Sequence, residues 1–281
     1  MVSLLFYESA QDFPATSFDD VAGALVGQPG VDLAGNETYL SGRWRDVETG
    51  ATCQIDVGHP PIEQDHMHPP RAYDGWREVG LAITIPLAGP HWLCVEALQW
   101  IENLLRRLPS LRTLDTEDTR QDQGDGPGGW SRPRALANWE KLHHVQHEGR
   151  TDLWRMARLS SVCLWRYRRE RAIGRSAITD LIWPDALVLL DQDARCARSA
   201  VIWSDPTLPM ALPPVELVVI PRGNGSGVIE AGLLSALGGD PLPFAQAQRL
   251  LANEKTAHLY AQTPLMPATR YKALGDFDWS D

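Results

Sequence analysis

A run of carboxylates lies at Leu114-Asp-Thr-Glu-Asp-Thr119, where an apolar segment gives way to polar residues. The alternation predicts that Asp115 and Glu117 project from one face at the end of a strand. Two carboxylates placed in this way are hard oxygen ligands, which could hold Mg²⁺ for phosphoryl chemistry. The other interpretation, which we favour, is an acidic exit from a strand into a loop.

The same six residues resemble the first motif of the DnaQ-like DEDD exonucleases, whose strand carries Leu-Asp-Thr-Glu-Thr. The resemblance implies a divalent-metal-dependent nuclease in which Asp115 and Glu117 are metal ligands. The chain departs from the pattern further on, because it has no second motif. Tyr271 and Asp276 are also one residue too far apart for the final motif. A nuclease is therefore the alternative function.

Two further segments contain histidines that could bind a metal. The segment 59–68 has three histidines and two carboxylates, but its prolines and its place between strands predict a solvated loop rather than a zinc site. The segment 140–148 places His143 and His147 on one face of a helix. His144 stands where a zinc-protease helix would carry its catalytic Glu, so we predict a polar helix face there. We expect no metal ion and no cofactor.

A glycine-rich turn follows the apolar run Val215–Ile220 and leads to a short predicted helix. A strand, turn and helix in this order could cradle a phosphate. The glycines do not match either nucleotide-binding pattern, and no Gly-Lys-Ser or Gly-Lys-Thr occurs. We therefore predict a flexible connection.

Charge limits the class of partner. The 281 residues include 36 Asp and Glu against 26 Lys and Arg, a net charge of −10. Because phosphates repel an acidic protein, we expect neither nucleic acid nor a membrane as partner. The segment 150–175 is the exception, with eight Arg against Asp152 and Glu170 and with Trp165 and Tyr167 interleaved. RNA binding is one interpretation; neutralisation by the chain's own acidic surface is the preferred one.

Cysteine usage and the N-terminal sequence predict a compartment. The four cysteines are scattered without a CxxC pair, which argues against a disulfide scaffold and a Cys-rich zinc module. The first basic residue is Arg43, and no segment approaches the roughly 18 apolar residues of a membrane span. We expect a reduced, cytoplasmic protein in which most of the 11 Trp residues lie in the core.

The predicted elements that would position these residues combine hairpins with helices, which indicates an α+β fold with antiparallel sheets packed against helices. An order of three strands and a helix occurs twice, so two similar lobes are an alternative. We expect an N-terminal lobe at 1–114, an acidic Gly-rich linker or loop at 115–134 and a C-terminal lobe at 135–281. The predicted elements are a helix near 19–25, strands at 39–47, 52–57, 79–87 and 111–114, helices at 90–108, 135–148 and 152–159, strands at 186–190, 200–204 and 215–220, and a last helix at 244–260.

Two short aromatic segments precede the strand and the Trp-bearing helix at 79–108: Tyr39-Leu-Ser-Gly-Arg-Trp44 and Tyr73-Asp-Gly-Trp76. Together these segments are similar to the Imm52-type immunity proteins of bacterial type VI secretion toxins. The resemblance covers about the first 120 residues. It implies a protein that binds a cognate toxin or effector and blocks it.

The preferred hypothesis is therefore a cytoplasmic immunity or inhibitor protein that is not an enzyme, with an open oligomeric state. Complementary charge would steer its encounter with a toxin. The predicted partner-binding residues lie in and beside the acidic loops 59–68 and 115–128. They are Glu63, Asp65, Asp115, Glu117, Asp118, Asp122, Asp125 and Trp130.

Overall fold

The computed structural model describes residues 1–12, 14–58, 73–117, 126–148, 153–223, 225–275 and 278–281. Their contacts divide the chain into two compact units, the first formed by 1–87 and 91–149 and the second by 88–90 and 150–281. The expected division was the linker at 115–134. In the structure the helix that follows this segment belongs to the first unit, because Trp139 donates its indole N–H to the carbonyl oxygen of Pro86 at 2.9 Å.

The described part of the first unit forms one six-stranded antiparallel sheet with three helices. Its elements are β1 (Val2–Ser9), α1 (Phe18–Leu25), β2 (Val31–Gly35), β3 (Tyr39–Arg45), β4 (Thr52–Gly58), β5 (Trp76–Ile85), α2 (His91–Leu105), β6 (Arg112–Asp115) and α3 (Arg132–His147). The strand order is β2-β3-β4-β5-β1-β6. The sequence analysis predicted no strand at β1, which lies inside the sheet between β5 and β6.

Helix α2 forms much of the core of this unit. Its apolar residues recur at helical spacing, and Leu93, Ala97, Ile101 and Leu104 are buried as that spacing predicts. Trp100 stacks on Trp44 of β3 with 5.2 Å between ring centroids. Seven of the 11 Trp side chains of the chain are buried, which confirms their core role. They are Trp44, Trp92, Trp100, Trp139, Trp183, Trp203 and Trp279.

The described part of the second unit contains a six-stranded sheet in the order β15-β12-β11-β9-β8-β16, a three-stranded sheet β10-β14-β13 and the pair β17-β7. Its elements are β7 (Trp154–Arg155), α4 (Arg158–Ala177), β8 (Ala186–Asp191), β9 (Cys196–Ile202), β10 (Met210–Leu212), β11 (Leu217–Arg222), β12 (Gly225–Glu230), α5 (Gly232–Ser235), β13 (Asp240–Pro241), β14 (Gln248–Leu250), α6 (Glu254–Gln262), β15 (Met266–Pro267), β16 (Tyr271–Leu274) and β17 (Trp279–Ser280). In the large sheet β9 and β11 are parallel, and the other pairs are antiparallel.

Two predicted helices in this unit are placed incorrectly. Residues 154–155 are extended because they pair with Trp279–Ser280, so the helix begins only at Arg158 and not at 152. The predicted helix at 244–260 is shortened by β14. Helix α6 begins after Asn253, whose side chain accepts hydrogen bonds from the backbone N–H groups of Lys255 and Thr256.

The glycine-rich turn is also different from its prediction. Arg222 pairs with Gly225 across a tight turn, and β12 returns antiparallel to β11. The turn therefore closes a hairpin, because a strand and not a helix follows it. The strand, turn and helix arrangement that could cradle a phosphate does not form here.

The α+β class is confirmed by sheets that pack against helices in both units. The parallel β9–β11 pair distinguishes the large sheet of the second unit from the wholly antiparallel sheet of the first. Across the described residues, none of the helices combines the length and the apolar character that a bilayer span requires.

Candidate partner-binding site

The predicted carboxylates Asp115 and Glu117 lie where an edge strand of the first unit ends. Strand β6 pairs with β1, so that Asp115 lies opposite Leu4 and Leu114 lies opposite Leu5. The strand ends at Asp115, and Glu117 follows in an exposed turn. The two carboxylates therefore do not share one strand face, because the backbone turns between them.

The Asp115 carboxylate holds the turn together. One oxygen accepts the backbone N–H of Glu117 at 3.0 Å, and the other accepts the side-chain amide of Asn138 on α3 at 2.7 Å. One oxygen thus closes the local turn, and the other joins the end of β6 to helix α3. Asp115 is half-buried, whereas the Glu117 side chain is exposed.

The segment after Asp115 is fixed to the same sheet edge at both of its ends. At its start the backbone N–H and the hydroxyl of Thr116 both donate to the carbonyl oxygen of Ser3, at 3.0 and 3.2 Å. At its end Gly128 forms a two-hydrogen-bond bridge with Thr113, at 2.9 and 3.0 Å. Thr116 and Gly128, which flank the segment 117–127, are therefore both held at this sheet edge, and we call the segment the acidic loop.

A small cleft lies beside the base of the acidic loop. Asp115 and Trp130, both predicted to bind a partner, line this cleft together with Arg134 of α3. Its volume of about 30 Å³ has room for about one water molecule. The cleft is too small to enclose a substrate. It is better described as a shallow depression at the base of a site on the protein surface.

The thiol nearest to this site is not activated. Burial raises the pKa of Cys94 well above its ordinary value, and the carboxylates of Glu140 and Asp115 raise it further. Burial likewise raises the pKa of Cys53 in β4. A thiolate is the nucleophilic form of cysteine, so neither residue is set up for nucleophilic chemistry.

Several predicted residues fall outside the described part of the chain. They are Glu63, Asp65, Asp118, Asp122 and Asp125, together with the histidine-rich segment 59–68. Among the residues that the structure describes, no three His, Cys, Asp or Glu side chains converge as metal ligands would.

Two histidines of α3 form a row of ring contacts with Trp139, stacked between Trp139 and His143 and edge-to-face between His143 and His147. The His143 ring lies 4.4 Å from Trp139 and 3.8 Å from His147, measured between centroids. His147 and Trp139 are buried, so this row is not the solvent-facing polar face that the sequence predicts. Packing of α3 on the rest of the first unit takes these rings out of water.

Sequence reasoning missed the contacts that fix the acidic loop. The role of Asn138 depends on a helix that the sequence places after the loop, and the role of Ser3 depends on an unpredicted strand. One local signal was present, since an Asp side chain at the end of a strand commonly accepts the backbone N–H group two residues further on.

Comparison with models of protein families, with curated proteins and with solved structures finds no match to this chain.

Proposed function

We propose that this chain is a cytoplasmic binding protein that neutralises a bacterial toxin by covering it, as immunity proteins do. The observation that carries the proposal is the acidic loop, whose two ends are fixed to β6. The loop has four carboxylates against one basic residue, Arg120. Fixed ends lower the conformational entropy that such a loop loses when it binds a partner.

The surroundings of the loop support recognition of a protein. Trp130 lies three residues after the loop and is half-buried beside Asp115. Tryptophan is enriched among the residues that dominate interface energies, because it offers a large apolar area with a polar edge. A segment rich in carboxylates that is followed by a half-buried tryptophan suits a partner with a basic surface.

The distribution of charge between the units also supports the proposal. The first unit has 22 Asp and Glu against 11 Lys and Arg, a net charge of −11, and the second has 14 against 15, a net charge of +1. The net negative charge of the protein therefore lies entirely on the unit that carries the acidic loop. Such a field would speed the encounter with a basic toxin surface.

The proposed compartment rests on the cysteines. All four are free thiols, and Cys53 and Cys94 are buried in the first unit. Free buried thiols are typical of proteins in a reducing compartment. The alternative function, a nuclease that uses Asp115 and Glu117, receives no support from the geometry of the described residues, since the Asp115 carboxylate accepts hydrogen bonds within the protein.

The proposal is tested by capture followed by a growth assay. Tagged full-length chain is used to capture proteins from its native host, and each protein bound in equal stoichiometry is then expressed alone and together with the chain. We expect a captured protein that stops growth when expressed alone and is harmless with the chain present. Neutralising the acidic loop in E117Q/D118N/D122N/D125N should abolish both capture and protection.

A matched control separates the loop from net charge. The variant D12N/D32N/E37Q/E48Q removes the same charge from four exposed carboxylates elsewhere in the first unit. It should keep capture and protection. If both variants lost capture and protection equally, the acidic loop would not be the binding site. A Mg²⁺-dependent nuclease activity of the purified chain that disappears in Asp115→Ala would instead support the alternative function.

A further inference from the structure

The sheet of the first unit has one edge that the described residues leave open. Strand β2 lies at the end of the strand order, and among the described strands it pairs with β3 alone. The opposite edge differs, because the bridge between Thr113 and Gly128 covers part of β6. An open strand edge is a template for pairing with a further strand. Pairing at β2 would take place on the side of the sheet that is far from the acidic loop.

The hydrogen bonds between β2 and β3 determine which backbone groups point outward. The N–H of Arg45 donates to the carbonyl oxygen of Gly30 at 2.8 Å, and the N–H of Asn36 donates to that of Tyr39 at 2.9 Å. Bonded positions alternate in an antiparallel pair, so the even-numbered residues of β2 bond to β3. The backbone groups that face the open edge therefore belong to the odd-numbered residues. They are Val31, Leu33 and Gly35.

The outward groups at the centre of β2 are available for pairing. The N–H of Val31 is used, since it donates to the carbonyl oxygen of Gln28 at 3.2 Å. Across the described residues, no hydrogen bond is formed by the outward N–H and C=O groups of Leu33 and Gly35. Each of these two residues therefore offers a donor and an acceptor in the plane of the sheet.

The edge strands of the other six-stranded sheet carry features that hinder pairing, and β2 lacks them. Strand β15 is two residues long and contains Pro267, and β16 contains Lys272. Proline removes a donor, and lysine is a common means of protecting an edge. The five residues of β2 include neither type. Its one charged residue, Asp32, lies opposite Arg43 of β3.

A second copy of β2 fits this edge in both backbone and side chains. A two-fold axis at Leu33 places this residue opposite itself, so that each copy donates an N–H to the carbonyl oxygen of the other. Gly35 then lies opposite Val31 of the second copy and donates to its carbonyl oxygen. Asp32 lies opposite Ala34, so the two carboxylates do not face each other directly.

The local charge permits this contact although the first unit is acidic. The segment 31–45, which contains β2 and β3, has Asp32 and Glu37 against Arg43 and Arg45, so its charges balance. A neutral edge gives the strand of a basic protein no electrostatic advantage over a second copy of β2. Carboxylates elsewhere in the unit are screened beyond about 8 Å at physiological ionic strength.

We propose that β2 pairs with β2 of a second copy of this chain, antiparallel and centred on Leu33. The sheets of two first units then form one continuous sheet, with an acidic loop beside each of its outer edges. This dimer goes beyond the proposed function, because its formation requires no toxin. Where the acidic loop binds a partner, one dimer presents two such sites.

Sedimentation velocity of the full-length protein, over about a hundredfold range of concentration up to its solubility limit, tests the proposal. We expect a reversible equilibrium between monomer and dimer. Leu33→Pro removes an outward N–H and keeps the bonds between β2 and β3, so this variant should stay monomeric. Circular dichroism and the Tm check that it folds. A wild-type protein that is monomeric throughout, or a folded L33P that dimerises, would overturn the proposal.

Substitutions at the exposed Ala34 test the register without removing a hydrogen bond. In the proposed pairing this position faces Asp32 of the second copy, and symmetry repeats the contact. A34K should therefore strengthen dimerisation and A34D should weaken it, each by about threefold or more. The same changes at Ala10, which is exposed elsewhere in the first unit, are the matched controls and should leave the dissociation constant unchanged.

The Ala34 variants give further outcomes that contradict the pairing. If A34K and A34D shift the equilibrium in the same direction, or if the Ala10 variants shift it equally, the register centred on Leu33 is wrong. The proposal is also wrong if the wild type stays monomeric and L33P instead loses a captured protein, since the edge would then take a strand of another protein. Failure of the capture assay by itself concerns the acidic loop and leaves the dimer measurement valid.

Discussion

At the scale of single residues, Asp191 at the end of β8 is a buried ion with several hydrogen-bond partners. Its carboxylate is fully buried and accepts two hydrogen bonds from Arg270, at 2.9 and 2.7 Å. The backbone N–H groups of Asp193 and Ala194 donate to one of its oxygens, both at 3.1 Å. The hydrogen bonds from Arg270 lower the pKa of Asp191, although burial opposes them. This residue joins β8 to β16.

We expect Asp191→Asn to lower the free energy of unfolding by about 3 kcal/mol, because it leaves Arg270 without its buried counter-ion. Since the pKa of Asp191 is lower in the folded state, its contribution is complete above the unfolded pKa of about 3.9 and is lost as pH falls through the folded value. Urea titrations between neutral and acidic pH should therefore show the two proteins converging in acid. Asp193→Asn is the control.

Asp193→Asn is a suitable control because the Asp193 carboxylate lies 3.3 Å from Nε of the same Arg270 guanidinium, but its side chain is 71% exposed. Solvent screens such a pair, so its loss should change the unfolding free energy little. If the two Asn variants were equally destabilised, the buried hydrogen bonds of Asp191 would not be the source of the effect.

At the scale of elements, α4 shows how packing overrides local preference. Gly174 lies inside this helix, where glycine is intrinsically unfavourable. A Cβ at this position would lie 2.3 Å from the ring of Trp183. Trp183 is buried and its indole N–H donates to the carbonyl oxygen of Ile178 at 3.2 Å, so the ring has little freedom to move away. The glycine is required by contact between α4 and this tryptophan.

Gly174→Ala should therefore lower stability by about 1–3 kcal/mol, the usual cost of an overpacked core. Gly23→Ala is the matched substitution in α1, where a Cβ would meet no atom within 4 Å. It should raise stability by up to about 1 kcal/mol, because alanine has the better helix propensity. Thermal and urea unfolding of the two variants measure whether each substitution lowers or raises the stability of the protein. A gain in stability for Gly174→Ala would show that the contact with Trp183 does not restrict this position.

At the scale of the whole molecule, the two units differ in charge far more than in size. The first has a net charge of −11 and the second of +1. Self-repulsion destabilises a compact state of high net charge, and salt screens it, since the Debye length falls to about 3 Å at 1 M. The two units should therefore respond differently to ionic strength.

Hydrogen exchange measured by mass spectrometry at low and high NaCl tests this difference within one molecule. We expect the protection of the inner strands β1 and β5 in the first unit to increase with salt. Protection of β9 and β11 in the second unit should change much less, which makes that unit the internal control. An equal increase in both would mean that salt acts through general hydration rather than through charge.

Part of the fold could be read from local patterns. A glycine turn between two strand-like segments predicted β3 and β4, an apolar run predicted β5, and helical spacing predicted α2. Two predictions failed where a distant segment set the local conformation. Residues 154–155 are extended by pairing with 279–280, and the segment after Arg222 forms a strand because β12 pairs with β11.

The sequence by itself determined the α+β class, the core role of most tryptophans, the acidic balance and the basic character of the segment that contains α4. Only the tertiary structure decided that β1 lies beside β6, which brings Ser3 to Thr116 across 113 positions and fixes one end of the acidic loop. It also decided which face of α4 is buried, and so which arginines lie on the same exposed face as Leu159 and Ile173. Composition and periodicity depend on near neighbours, whereas these contacts depend on which distant apolar faces are buried together.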